Sequence, residues 1–198
     1  MATPYRLRQL ELREEAILNA AHQLLGRLGY EEMTMDVVAA EVGIAKASLY
    51  KHFPSKEKLA ARTMTRLFDR TIARLHELDP ALRAGDKLRQ MLDWVLRERL
   101  KGSIPHLPAT NSALEQGLMT DQDYLAALLT LNAELSTLVE QGKAEGALAL
   151  ELPTDYIVTA IYACSCDPTL EYMLRGNSYS PDEIVTHMVR AFFSGVQP

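Results

Sequence analysis

The sequence predicts an all-α protein of about nine helices, on three observations. Hydrophobic helix formers dominate a chain of 198 residues in which 47% are hydrophobic and 24% charged. Apolar residues recur at helical spacing, and alternating runs of Val, Ile and Thr are absent. The periodic segments are separated by Gly, Pro, Ser, Thr and Asp of the kind that begin and end helices. Such a length suits one or two domains with a sizeable core.

The first helix is expected over 9–28, with a stripe of Leu10, Ile17, Ala20, Ala21, Leu24, Leu25 and Leu28 opposite a charged face. Gly29 is placed to cap its C-terminus. Thr34 is placed as the N-cap of a second helix, with Asp36 near its positive end, and Gly43 ends that helix after about two turns. A third runs from about Lys46 to Phe53, where Pro54 forbids extension. Ser55 then caps a long fourth helix from Lys56 to about Leu78.

A fifth helix is expected to start near Pro80 or Asp86 and to end before Gly102. The following "GSIPHLPAT" reads as a loop. A short sixth covers about 109–117, and Thr120 is placed to cap a long seventh that Gly146 stops. The eighth runs from Pro153 to about Arg175, with Pro168 as a kink. Ser180-Pro181, an N-cap followed by Pro at the first helical position, opens the ninth.

Net charge is −5, but it is unevenly spread: residues 1–70 carry +2 and residues 71–198 carry −7. A basic head on an acidic body is compatible with DNA contact, because phosphates respond to local potential. No stretch approaches the roughly eighteen uninterrupted apolar residues of a membrane span, and "MATPYRLRQLELREE" lacks an apolar signal core. The expected location is therefore cytoplasmic, with no membrane partner. Cys164 and Cys166 point to nearly opposite sides of a helix, which disfavours a disulfide between them; buried structural thiols are the expectation. Neither a metal nor a cofactor is expected. No nucleophile elbow, phosphate loop or HExxH is present, so the chain is not read as an enzyme.

"VVAAEVGIAKASLYKHF" carries the functional signal. Two short helices about a Gly-containing turn make a helix-turn-helix. Val38, Val42, Ile44, Leu49 and Phe53 can form a small core that holds the third helix. Lys46, Ala47, Tyr50 and Lys51 then lie opposite, offering cations and hydroxyls to phosphates and small groups to base edges.

With these residues assembled, "TMDVVAAEVGIAKASLYKHFPSKEKL" resembles the DNA-binding head of the tetracycline-repressor (TetR) family of bacterial regulators. The elements that match are Thr34, Ala39/Ala40, Gly43, "SLYKHF" and "SKEKL", within a close match over about 10–65. The resemblance implies a three-helix head over 1–55, its helix-turn-helix at about 33–52, and an antiparallel helical bundle over 56–198 for effector binding and dimerisation. By position, Thr34 and Lys56 would contact phosphates, Lys46, Ala47 and Ser48 would face bases, and Tyr50 and His52 would contact the backbone. Lys51 shares the exposed face. His52 is also open to a structural or solvent role. Ala45 stands where many members have Ser or Thr, so it cannot cap the recognition helix. Arg6, Arg8 and Arg13 form either a basic arm toward the minor groove or an ordinary disordered tail.

The resemblance also implies a homodimer on double-stranded operator DNA and a small-molecule effector. Dimer candidates on the last two helices are Ile157, Ile161, Ile184, Met188 and Phe192. Pocket candidates are Phe68, Met91, Trp94, Val95, His106, Met119, Tyr124, Leu128, Tyr162 and Met173, aromatic and Met side chains suited to an adaptable apolar cavity. The expected function is a repressor released from a palindromic operator when the effector tilts the fourth helix. A DNA-binding dimer without an effector and an activator remain as alternatives.

Overall fold

The computed structural model describes residues 4–102, 104 and 112–197, with the side chains of Arg6, Ser112 and Ala113 excepted. His106 and most of the expected loop lie outside the described residues. Among the described residues the secondary structure is wholly helical: α1 Pro4–Glu32, α2 Met35–Val42, α3 Lys46–His52, α4 Lys56–His76, α5 Ala84–Leu100, α6 Ser112–Thr120, α7 Gln122–Ala144, α8 Thr154–Ser165, α9 Thr169–Gly176 and α10 Pro181–Val196. They form two compact units, one of Met1–Phe68 with Gly102–Leu128 and the other of Asp69–Lys101 with Leu129–Pro198.

The local start and stop signals act as their chemistry dictates. The Thr34 hydroxyl accepts the Val37 amide at 3.2 Å, and Ser55 does the same for Lys58 at 3.1 Å. Ser180 and Glu183 form a reciprocal capping box over Pro181. Gly29 takes a positive φ of 79° with ψ 174°, a non-helical conformation that ends the long helical run before one further turn to Glu32.

Several expectations need correction. Residues 4–16 are helical, so an ordinary disordered tail does not describe them; between Tyr5 and Ala16 the chain carries no Gly, Pro or β-branched residue. Arg8 and Arg13 are exposed on that helix. Leu10 and Leu28 do not join the apolar stripe, being 50% and 43% exposed, whereas Ile17, Ala20, Ala21, Leu24 and Leu25 are buried. Val42 and Ile44 are only half-buried, while Val38, Leu49 and Phe53 are in the core.

The cap of α7 is Asp121, whose carboxylate accepts the Tyr124 amide at 3.0 Å. Thr120 instead closes α6, its hydroxyl donating back to Gln116 and Gly117 carbonyls. The kink expected at Pro168 is a full break between α8 and α9. Arg99, buried at the end of α5, donates to the Ser165 and Asp167 carbonyls at 3.0 and 2.9 Å and to the Glu171 carboxylate at 2.6 Å. The guanidinium thus satisfies carbonyls that the break would leave unpaired. Ending α8 at Ser165 leaves Cys164 half-buried and Cys166 more exposed, and burial pushes both thiols up, that of Cys164 to about 11.

In the second unit, α10 packs on α5, α8 and α9. The core there joins Leu88, Leu92 and Leu96 to Ile157, Ile184, Val185 and Phe193. Burying each such side chain contributes about 1.5–3 kcal/mol before chain entropy is set against it.

Candidate nucleic-acid interface

In the first unit, α2 and α3 are joined by Gly43, which adopts the left-handed conformation (φ 72°, ψ 34°). The Gly43 amide donates to Ala40 O and the Ile44 amide to Ala39 O, closing α2 and redirecting the chain within two residues. A residue with a Cβ resists that angle, which is why the turn takes glycine here. Leu49 and Phe53 are the buried side chains of the α3 segment, which packs on α2, with Leu49 fully buried.

Burial of Leu49 determines the exposed face. Lys46, Ala47, Tyr50 and Lys51 are exposed together, and Ser48 and His52 are half-buried at the edges. Thr34 is exposed at the N-terminus of α2. Ala45 makes no side-chain cap for α3, as its methyl group requires. Lys46 is not a free cation: its Nζ lies 2.7 Å from Asp36 Oδ2, with both side chains solvent-exposed.

Lys56 is also engaged within the head. Its Nζ donates to the Glu31 carbonyl at 3.1 Å and sits 4.0 Å above the Tyr30 ring. The Tyr30 hydroxyl donates to Glu57 at 3.0 Å. Burial, reinforced by that carboxylate, pushes the Tyr30 phenol well above its ordinary value. Glu57 is held below the usual carboxylate range by its own amide at the start of α4, aided by Ser55 and Tyr30 against the opposing effect of burial. Tyr30 had no motif to mark it, only its position between Gly29 and Thr34.

Behind this cluster, α4 meets the α6–α7 junction. Lys58 Nζ lies 2.6 Å from the nearly buried Asp121 carboxylate. A Cβ on Gly117 would lie 2.8 Å from Glu57 Cβ, so only glycine allows this approach. A polar cavity of about 470 Å³ is lined by Ser55, Glu57, Lys58, Thr120, Asp121 and their neighbours.

The effector candidates are divided between the units. Phe68 and Tyr124 are buried in the first with ring centroids 5.5 Å apart, Leu128 is half-buried, and Met119 is 51% exposed. In the second unit Met91 is buried; Trp94, Val95, Tyr162 and Met173 are half-buried, and the Tyr162 hydroxyl donates to Asn132 at 2.8 Å. None of them lines the polar cavity. His106 lies outside the described residues.

The dimer candidates need correction. Ile157, Ile161, Ile184 and Met188 are buried in the chain's own core, because the apolar stripes of α8 and α10 are taken up by α5 and by each other. Phe192 is half-buried, edge-on to Phe193. The outward positions on these helices include Tyr156, Thr159 and Ala163, and Thr186, His187, Arg190, Ala191 and Ser194.

Residues 17–63 match the sequence model of the family described as "Bacterial regulatory proteins, tetR family". The chain is 29% identical over 184 residues to Nucleoid occlusion factor SlmA of Photobacterium profundum, covering 88% of this chain and 91% of that protein. With the protein of the same name from Pasteurella multocida, identity is 29% over 99 residues, which is 48% of this chain and only half the length of that relative. The solved structure of a TetR-family transcriptional regulator from Agrobacterium tumefaciens superposes with a TM-score of 0.69 at 20% identity, covering 95% of this chain and 99% of that one. At that identity the likeness establishes the fold. No helix among the described residues is long and apolar enough to cross a membrane.

Proposed function

We propose, on the premise that residues 17–63 make this chain a member of the tetR family of bacterial regulatory proteins, that it is a dimeric repressor released from a palindromic operator by a small, mostly apolar effector. The observation that carries DNA reading is the α2–Gly43–α3 turn, which presents Lys46, Ala47, Tyr50 and Lys51 on a helix anchored by Leu49. In this reading Lys46, Ala47 and Ser48 meet base edges, and Thr34, Tyr50, Lys51, His52 and Lys56 meet the backbone. Two copies related by a two-fold axis read the two halves of a palindrome.

Release requires that the recognition helices lose their spacing. The Lys58–Asp121 pair and the close approach of Gly117 to Glu57 support a route from the α6–α7 junction to the first turn of α4. An effector beside Phe68 and Tyr124 would shift that junction, and with it the head. Because both half-sites must be met together, misplacing one forfeits most of the bivalent gain. A preference of a few kcal/mol for one state suffices to change occupancy.

A second reading, a DNA-binding protein that acts without a small effector, is favoured by the 29% identity over 184 residues to a protein named as a nucleoid occlusion factor. One experiment separates the two. Duplexes selected from a random pool supply an operator, and a compound library is screened for binding by thermal shift and for release of the duplex. Compounds that bind and also weaken operator binding by a reciprocal factor support the regulated repressor. Compounds that bind without altering DNA affinity support the effector-free protein.

A further inference from the structure

We propose that Asp36 sets the DNA selectivity of the head by holding Lys46 away from phosphates. The inference rests on the DNA-binding reading above. Lys46 is the first residue of α3, and Asp36 lies in the first turn of α2, two positions after Thr34. Their side chains meet at 2.7 Å although Lys46 is 50% and Asp36 66% exposed. An exposed pair of this kind adds little stability, so its consequence lies in the charges that the head offers to DNA. Donating a hydrogen bond to the Asp36 carboxylate raises the Lys46 pKa, so the ammonium stays charged while it is engaged.

On arbitrary DNA, binding is almost wholly phosphate contact and counterion release. There the Asp36 carboxylate acts twice against binding. It occupies one of the two ammonium groups on the exposed face of α3, the other being Lys51. It also places a negative charge at the α2 N-terminus, an end whose amides and dipole otherwise favour phosphate. On the operator, base contacts seat α3 in one register. An ammonium has three donors, so Lys46 can keep Asp36 and still donate to a purine acceptor in the major groove. The carboxylate therefore penalises arbitrary sequences more than the operator.

The test uses the full chain with a duplex selected from a random pool and an unrelated duplex of equal length, titrated at several salt concentrations. Asp36→Asn keeps the side-chain shape and is expected to raise affinity for the unrelated duplex roughly three- to tenfold, with a salt slope steeper by about one. Affinity for the selected duplex should change by less than about twofold, so the selectivity ratio falls. Asp36→Glu should keep the wild-type ratio, and in a Lys46→Met background the effect of Asp36→Asn should fall to less than about half, leaving only the part due to the charge at the α2 N-terminus. An unchanged ratio, or an effect that is undiminished without Lys46, overturns the inference while leaving DNA reading intact. A wild-type protein that does not prefer its selected duplex overturns both.

Discussion

Lys58 and Asp121 lie 63 positions apart in sequence and meet at 2.6 Å, tying the first turn of α4 to the cap of α7. Asp121 is 7% exposed and also accepts the Tyr124 amide, so one carboxylate serves as ion-pair partner and helix cap.

Removing Lys58 by Lys58→Ala leaves that carboxylate nearly buried and unpaired. The expected loss is roughly 1–2 kcal/mol, below the full cost of breaking a buried pair because Lys58 itself is half in water. Asp121→Ala should cost more, since the α7 cap goes too. For Asp121, burial pushes the pKa up, but the Lys58 ammonium and the Tyr124 amide outweigh it and the net shift is downward. A depressed folded pKa stabilises the fold above the unfolded value, about 3.9, and that contribution is lost as pH falls through the folded pKa. Urea midpoints compared at pH 5 and pH 3 should therefore fall less in Asp121→Asn than in the wild type.

Gly117→Ala tests the closest approach at the same junction. The added methyl meets Glu57 Cβ at 2.8 Å, so α6 or the first turn of α4 must move. A stability loss of about 1–3 kcal/mol is expected by thermal melting. Operator affinity should fall with it, whereas a variant that is destabilised but binds DNA normally would argue against the route through α4.

On the DNA face, Tyr50→Phe and Lys56→Ala should weaken binding to all sequences similarly. Lys56→Ala should also lower the salt slope by about one. Because Lys56 bonds Glu31 and covers Tyr30, this variant should lose in addition roughly 0.5–2 kcal/mol of stability. Tyr50 is exposed, so Tyr50→Phe should leave the melting temperature within about a degree. Titrations at two salt concentrations beside thermal melts separate the two effects.

Light scattering should report a particle near twice 22.1 kDa. A charge at an outward position of α10, as in Ala191→Glu, should give folded monomers with weak operator binding. Met188→Ala should instead destabilise the chain by about 2–5 kcal/mol, because that side chain is core. A wild type that stays monomeric at micromolar concentration would remove the two-fold recognition scheme.

The all-α class and most helix ends were legible in the sequence because they follow from rules that act within one turn. Thr34, Gly43, Ser55 and Ser180 each satisfy or redirect backbone groups a few residues away, so their neighbours suffice to read them. The exposed face of α3 was legible for the same reason: burial of Leu49 and Phe53 leaves Lys46, Ala47, Tyr50 and Lys51 outside. What only tertiary structure decided involves partners far along the chain. Periodicity marks Ile157, Ile184 and Met188 as apolar, but it cannot say whether α5 or a second copy covers them. Pro168 signals a bend, but a full break needed Arg99 to bond the carbonyls it frees. Lys46 and Lys56 read alike as cations facing DNA, and nothing in the sequence singled out Lys58, yet Asp36, Glu31 with Tyr30, and Asp121 give each a different partner. A long side chain reaches whatever the fold brings near it, and sequence spacing does not record that distance.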